Sequence, residues 1–148
     1  MGLGYCSPPI EKCNEFQLWD AMLTTIKGVT DFLPVTDVVW EDKPDYLWRS
    51  MKFAGPGPMN GKTIIEKIYA DRKKGEIRFV DLDASGKETG SEVINALLKS
   101  PPRIEYYQRS TTTKERVHWL APQVSIAAAI EKTVVDAQTS PKRGYSIY

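Results

Sequence analysis

The first pattern in the chain is a set of apolar residues spaced three and four positions apart, which is the period of one helical face. These residues are Phe16, Trp19, Met22, Leu23 and Ile26. Asn14 and Gln17 stand at the two positions of a capping box, and Gly28 supplies a common helix stop. The pattern predicts a helix from about residue 14 to residue 28. A short helical turn or loop follows and ends at Pro34.

From Val35 onward the pattern changes to short runs rich in Val, Ile, Tyr, Trp and Phe, separated by turns that contain Gly, Pro and Lys. The links are short enough for neighbouring strands to pair as antiparallel hairpins. We predict strands over residues 35–41, 46–53, 63–72, 76–83, 91–98 and 103–111.

A second helix is predicted for PQVSIAAAIEKTVVDAQTS, which begins with Pro122 and ends before Pro141. Its predicted apolar stripe consists of Ile126, Ala127, Ile130, Val134 and Ala137. Together the elements predict an α+β fold in which a long C-terminal helix packs against an antiparallel sheet. If the sheet curves strongly around that helix, a cavity remains between them.

The length of 148 residues suits a single domain spanning residues 1–148. Residues 1–13 are expected to be irregular or to form a short first strand, and residues 141–148 to be a flexible tail. A net charge of +1 gives no general electrostatic footprint for nucleic acid or an anionic membrane. No segment has the length of a membrane span, and no secretory leader is evident, so a cytoplasmic location is expected.

Arg49 is unusual because strand alternation places it on the same face as Met51 and Phe53, opposite the exposed Lys52. The same alternation places Glu66 among apolar residues of the next strand. A desolvated Arg and carboxylate need each other, since removing one partner of a buried pair costs about 3–5 kcal/mol. We therefore predict that they pair, either as a polar point in a cavity wall or as a purely structural ion pair.

Other residues predicted to point inward give an interior that is mostly apolar and aromatic with a few polar points, as in small-molecule pockets. They are Val38, Trp40, Phe79, Asp81, Asn95, Ile104, Tyr106 and Gln108. A filled core has the same composition. In that alternative Tyr106 is a core tyrosine, and Asn95 satisfies backbone groups.

Familiar catalytic and cofactor motifs are incomplete. GPGPMNGKT, residues 55–63, misses the phosphate-loop spacing, although a nucleotide site followed by a helix is the alternative interpretation. His118 is the single histidine; a surface or capping role is favoured over a general base at a cavity rim. Cys6 and Cys13 provide neither a disulfide framework nor a zinc site. No metal and no cofactor is predicted.

Several of these features together resemble the START-like or SRPBCC superfamily, the helix-grip fold shared with plant pollen-allergen and polyketide-cyclase relatives, and within it the AtaL-like group. The matching features are Trp19, the R-x-x-x-F strand of Arg49 and Phe53, Glu66, and the AIE-x-T helix at 129–133. The resemblance spans roughly residues 14–138. It implies a curved antiparallel sheet that grips the C-terminal helix around a hydrophobic cavity.

The leading hypothesis is that the protein binds or carries a small hydrophobic or aromatic molecule. Arg49 would anchor a polar end of the ligand and Glu66 would orient Arg49. The remaining wall would be formed by Trp40, Met51, Phe79, Asn95, Tyr106 and Ile130. The alternative is a polyketide-cyclase-like or hydratase-like enzyme in which Glu66, Tyr106 or His118 handles protons. A protein-interaction module with a packed interior is a third possibility. The oligomeric state is left open.

Overall fold

The computed structural model describes residues 3–139. Its two α-helices are α1 (Glu15–Lys27) and α2 (Gln123–Thr139), and a short 3₁₀ turn (Val29–Asp31) follows α1. Its strands are β1 (Tyr5–Cys6), β2 (Val35–Asp42), β3 (Leu47–Phe53), β4 (Thr63–Asp71), β5 (Glu76–Leu82), β6 (Glu88–Leu98), β7 (Arg103–Ser110) and β8 (Arg116–Val117). The α+β prediction and the predicted strands are confirmed, while β6 begins earlier than predicted and β8 was not predicted. The tail predicted at residues 141–148 lies outside the described residues.

All strands belong to one curved antiparallel sheet with the order β1-β7-β6-β5-β4-β3-β2. The short strands β1 and β8 pair side by side with the free edge of β7, opposite Tyr106 and Gln108 respectively. The register of β2 against β3 shifts between Thr36 and Val39, and in the pairing of β5 with β6 the extra residues lie in β6 between Glu88 and Glu92. Such irregularities bend a strand and increase its twist.

Helix α1 begins with the predicted capping box. The backbone N–H of Gln17 donates to Oδ1 of Asn14 over 2.8 Å, and the N–H of Asn14 donates to Oε1 of Gln17 over 2.9 Å. The helix ends where Gly28 donates its N–H to the carbonyl of Thr24. Its buried face includes Trp19, which is 2% exposed, so the predicted amphipathic helix is confirmed.

Helix α2 buries a slightly different stripe from the predicted one. The buried residues are Ile126, Ala129, Ile130, Thr133 and Ala137, whereas Ala127 and Val134 are half-buried. Thr133 belongs to the buried stripe although its hydroxyl is polar. That hydroxyl donates to the carbonyl of Ala129 over 2.7 Å, which satisfies it inside the core.

The main core lies between the two helices and the inner face of the sheet. Its fully buried members include Leu18 and Met22 from α1, Ile77 and Ile104 from the sheet, and Ile130 from α2. A second apolar cluster gathers around the end of β3, from Val29, Val35, Met51 and Phe53. Among residues 3–139, neither helix has the length and apolar character needed to cross a membrane.

Candidate functional site

A cavity of about 440 Å³ lies between the inner face of the sheet and the segment that leads into α2. Strands β3 to β7 form one wall, and Trp119, Ala121 and Ile126 form the other. Its apolar lining includes Met51, Phe53, Ile64, Phe79, Val93 and Ile126. The volume is within the range of small-molecule sites, which are about 300–1,000 Å³.

The predicted pair of Arg49 and Glu66 is confirmed and borders this cavity. The two residues are direct partners across β3 and β4. Nη2 and Nε of Arg49 donate to Oε1 of Glu66 over 2.8 and 3.2 Å, and the side chains are 3% and 8% exposed. The ring of Phe79 lies 5.3 Å from the guanidinium carbon, so an aromatic face adds to the burial of the cation.

Arg49 also has a structural role, because Nη1 donates to the backbone carbonyl of Ile26 over 2.8 Å. This carbonyl lies in the last turn of α1, where backbone acceptors lack partners within the helix. These contacts use three of the five N–H groups of a guanidinium. The two predicted roles therefore coincide, since Arg49 ties α1 to the sheet and still lines the cavity.

Tyr106 lines the cavity and is buried. Its hydroxyl lies near the side chain of Thr133 on α2, whose own hydroxyl donates to the carbonyl of Ala129. Burial raises the pKa of Tyr106 to about 12, although the interaction with Thr133 and the charge of Arg49 act in the opposite direction. The phenol is therefore neutral at physiological pH.

Two amide side chains, Asn95 and Gln108, face the cavity from β6 and β7. Asn95 is 5% exposed and stands directly opposite Tyr106, while Gln108 pairs with Val93 one step along the same face. Within residues 3–139, neither side-chain amide makes a hydrogen bond. The alternative prediction, that the Asn95 side chain hydrogen-bonds backbone groups, is therefore wrong for the described residues.

Asp81 is a further cavity residue, which sequence alternation placed inward but which was not included in the predicted site. It stands directly opposite Glu66 across β4 and β5. Burial raises the pKa of Asp81, partly offset by a 2.8 Å hydrogen bond that Thr89 donates to Oδ2. Asp81 could have been identified as a site residue because Arg49, Glu66 and Asp81 are inward charged residues on three consecutive strands.

Two residues predicted to line the cavity do not line it. Trp40 shares the face of Arg49, its direct partner, but β2 is the edge strand and Trp40 remains 43% exposed. The Nζ atom of Lys27 covers its ring at 4.3 Å. Ile130 is buried in the core and borders a separate groove between α2 and the N-terminal segment. Strand alternation thus gives the face of Trp40 correctly, but the residue lies on the edge strand, away from the cavity.

His118 lies exposed at the rim of the cavity, which combines its two predicted locations, surface and rim. Within the described part of the chain its imidazole has no hydrogen bond or ion pair. The neighbouring Trp119, Leu120 and Ala121 also line the cavity and were missed, because this short connector has no periodic pattern.

The GPGPMNGKT loop lies at the cavity mouth, where Met59 and Lys62 form part of the lining. Gly57 has φ +96°, and a Cβ atom there would lie 2.9 Å from Cγ of Pro122. The loop thus approaches the start of α2 closely. Since Thr63–Asp71 is a strand and not a helix, the nucleotide-site alternative is wrong.

No group of three His, Cys, Asp or Glu side chains suited to a metal ion occurs within residues 3–139. Comparison of the chain with models of known protein families and with curated proteins finds no match. The candidate site is therefore defined by its own geometry.

Proposed function

We propose that the protein binds a small hydrophobic or aromatic molecule in the cavity between the sheet and α2, as a carrier or a receptor. The observation behind this proposal is the cavity itself, about 440 Å³ in volume, with an apolar wall and a few buried polar groups. An apolar ligand surface gains roughly 25 cal/mol for each Å² removed from water. The polar groups then orient the ligand.

We further propose that the fold is the helix-grip fold of the START-like or SRPBCC superfamily, in its AtaL-like group. The strand order β1-β7-β6-β5-β4-β3-β2, with α1 before β2 and a long α2 at the end, supports this assignment. Trp19 and Thr133, which carry part of the resemblance, are both core residues. Arg49 and Glu66, which carry another part, form the buried pair beside the cavity.

In this proposal Arg49 donates to an oxygen of the ligand through the N–H groups that Glu66 and Ile26 leave free. Glu66 fixes the direction of the guanidinium, and Phe79 and Met51 contact the ligand body. A fixed guanidinium loses little freedom on binding, which favours affinity.

A hydratase-like or polyketide-cyclase-like reaction in the same cavity is the second candidate. The adjacent carboxyl groups of Glu66 and Asp81 favour it, because only Glu66 is paired with Arg49. An acid whose pKa is raised by burial is suited to proton transfer. Loss of turnover in Asp81→Asn with retained ligand affinity would support the enzyme, and unchanged turnover would remove Asp81 from the reaction.

Native mass spectrometry of protein purified from its own source tests the binding function, with a thermal-shift screen of lipophilic compounds beside it. We expect a co-purified mass or a rise in Tm, since a ligand at 100 times its Kd stabilises the folded state by about 2.7 kcal/mol. A uniformly empty protein with no hit would contradict the proposal.

A cavity-filling variant provides the matched control. Val93→Trp places a large ring in the cavity wall and should abolish ligand binding. Val39→Trp makes the same change at a residue that is 58% exposed on the edge strand. Equal loss of binding in both variants would argue against the cavity as the site.

A further inference from the structure

The charges around the cavity limit the chemistry of its ligand, and this inference rests on the proposed binding function. The positive charge of Arg49 is matched by Glu66 at 2.8 Å. Asp81 adds a carboxyl group with no cation paired to it among the described residues. Lys62 is exposed at the mouth. Among residues 3–139, the cavity interior thus offers no unpaired cation to a carboxylate or phosphate that has lost its water.

The two amide side chains provide the opposite kind of site. Asn95 is only 5% exposed. Within residues 3–139, neither its side-chain amide nor that of Gln108 has a hydrogen-bond partner. Each amide offers N–H donors together with a carbonyl acceptor. An apolar ligand that displaces water here leaves these groups unpaired, which reduces its affinity by roughly tenfold or more.

Asn95 and Gln108 lie close enough to act on one group of a ligand. Asn95 is opposite Tyr106 on β7, and Gln108 is two residues further along that strand. Diagonal neighbours of this kind on adjacent strands point to the same face and are about 7–8 Å apart, within reach of long side chains. Among residues 3–139, the Tyr106 hydroxyl makes no hydrogen bond to the amide of Asn95.

We propose that the ligand is a neutral aromatic molecule with an amide or lactam group, and that Asn95 and Gln108 bind this group. An amide presents one donor and one acceptor side by side, so it matches the side-chain amides without bringing a charge into the cavity. The aromatic body lies along Phe79 and Val93, which occupy the neighbouring row of the same sheet face.

Three probes that share one ring system test this assignment: 2-naphthamide, 2-naphthoate and 2-methylnaphthalene. Isothermal titration calorimetry at pH 7 should give the lowest Kd for 2-naphthamide, by about tenfold over each of the others. If 2-naphthoate binds most tightly, or if all three bind equally, the ligand class is wrong while the binding function stands. If none of the three binds while the lipophilic screen gives a hit, the ligand class is wrong and the binding function stands; if the screen gives no hit either, the proposed function is contradicted with it.

The variant Asn95→Leu retains the side-chain size and removes the amide. It should lose about tenfold in affinity for 2-naphthamide and leave 2-methylnaphthalene binding unchanged or improved. Gln108→Leu is the second variant, in case Asn95→Leu does not fold, because Gln108 is half-buried and more tolerant. The proposal is overturned if both variants fold and still prefer 2-naphthamide. If Asn95→Leu does not fold, the same preference in Gln108→Leu alone overturns it.

Discussion

The two faces of the sheet each hold a buried glutamate, and the two are partnered differently. On the inner face, Glu66 pairs with Arg49 beside the cavity. On the outer face, Glu92 is fully buried and receives Arg78 on Oε1 at 2.7 Å and Arg109 on Oε2 at 2.7 Å. Lys114 approaches Oε2 at 3.6 Å.

This difference shows that burial of an ion pair does not by itself mark a functional site. Arg78 and Arg109 are 35% and 15% exposed, so each cation of the outer cluster keeps contact with water. Arg49 is 3% exposed, and its contacts to Glu66 and Ile26 leave two of its N–H groups without a partner among the described residues. The adjoining cavity, and not the buried charge, distinguishes the inner pair.

The largest expected effect comes from Arg49→Met. This change strands Glu66 without a cation and leaves the Ile26 carbonyl without its partner. We expect the free energy of unfolding to fall by about 3–5 kcal/mol in urea titrations. The double variant Arg49→Met/Glu66→Leu is the control and should recover much of the loss. A loss below about 1 kcal/mol in the single variant would contradict the buried pairing.

Glu92→Gln tests the outer cluster and should cost less. Its cations can turn toward water, so we expect a loss of about 1–3 kcal/mol in the free energy of unfolding. Binding of any cavity ligand should be unchanged in this variant. A cost equal to that of Arg49→Met would contradict the distinction between the two faces.

The stability that Glu92 contributes should also depend on pH. Burial raises the pKa of Glu92, but the hydrogen bond and charge of Arg109, with the charges of Arg78 and Lys114, outweigh it, so the pKa lies below the ordinary 4.5. A lowered pKa stabilises the folded state above 4.5, and this contribution is lost as the pH falls through the folded-state pKa. Urea titrations from pH 7 to pH 3 should show the difference between wild type and Glu92→Gln shrinking. A constant difference would contradict the lowered pKa.

Tyr106→Phe tests the inner wall with a smaller change. The contact between the phenol oxygen and the side chain of Thr133 is lost, while Thr133 keeps its bond to Ala129. We expect a cost of at most about 1 kcal/mol in the free energy of unfolding. Affinity for an apolar cavity ligand should not change, because the ring remains. Complete loss of binding would instead give the hydroxyl a direct role in recognition.

The smallest effect is expected from Asp81→Asn, which should raise Tm by less than about 4 °C at pH 7. In a domain of this size, a Tm shift of that size corresponds to a change of about 1 kcal/mol in the free energy of unfolding. The pKa of Asp81 is raised by burial, so its contribution to stability is full below the ordinary value of 3.8 and is lost as the pH rises through the folded-state pKa. Asp81→Asn does not undergo this loss, so the difference between its Tm and that of wild type should grow from pH 3 to pH 7. A lower Tm at pH 7 would contradict the burial effect.

Sequence alternation was sufficient to predict the inner face, because charged residues fix the parity of each strand. Arg49, Met51, Glu66, Phe79, Asn95 and Tyr106 line the cavity as predicted. Trp40 shows the limit of this method, since parity gives the face of a residue and not its distance from the sheet edge.

The outer cluster and the connector at 118–121 could not be predicted in the same way. Glu92, Arg78 and Arg109 alternate as solvent-facing charges do, and only the pairing of β5, β6 and β7 brings them together. The connector lacks periodicity, so its place at the cavity depends on where α2 packs. In both cases the decisive information is long-range pairing and not local pattern.

If the proposed ligand accepts from Arg49, the bond from Arg49 to Ile26 would make the end of α1 a reporter of cavity occupancy. A ligand that accepts from the same guanidinium restrains it, and the restraint passes to the helix carbonyl it already holds. Amide deuterium exchange in the last turn of α1 and in Val29–Asp31 should then slow upon occupancy. Occupancy of the interior could be followed from the backbone before the occupant has been identified.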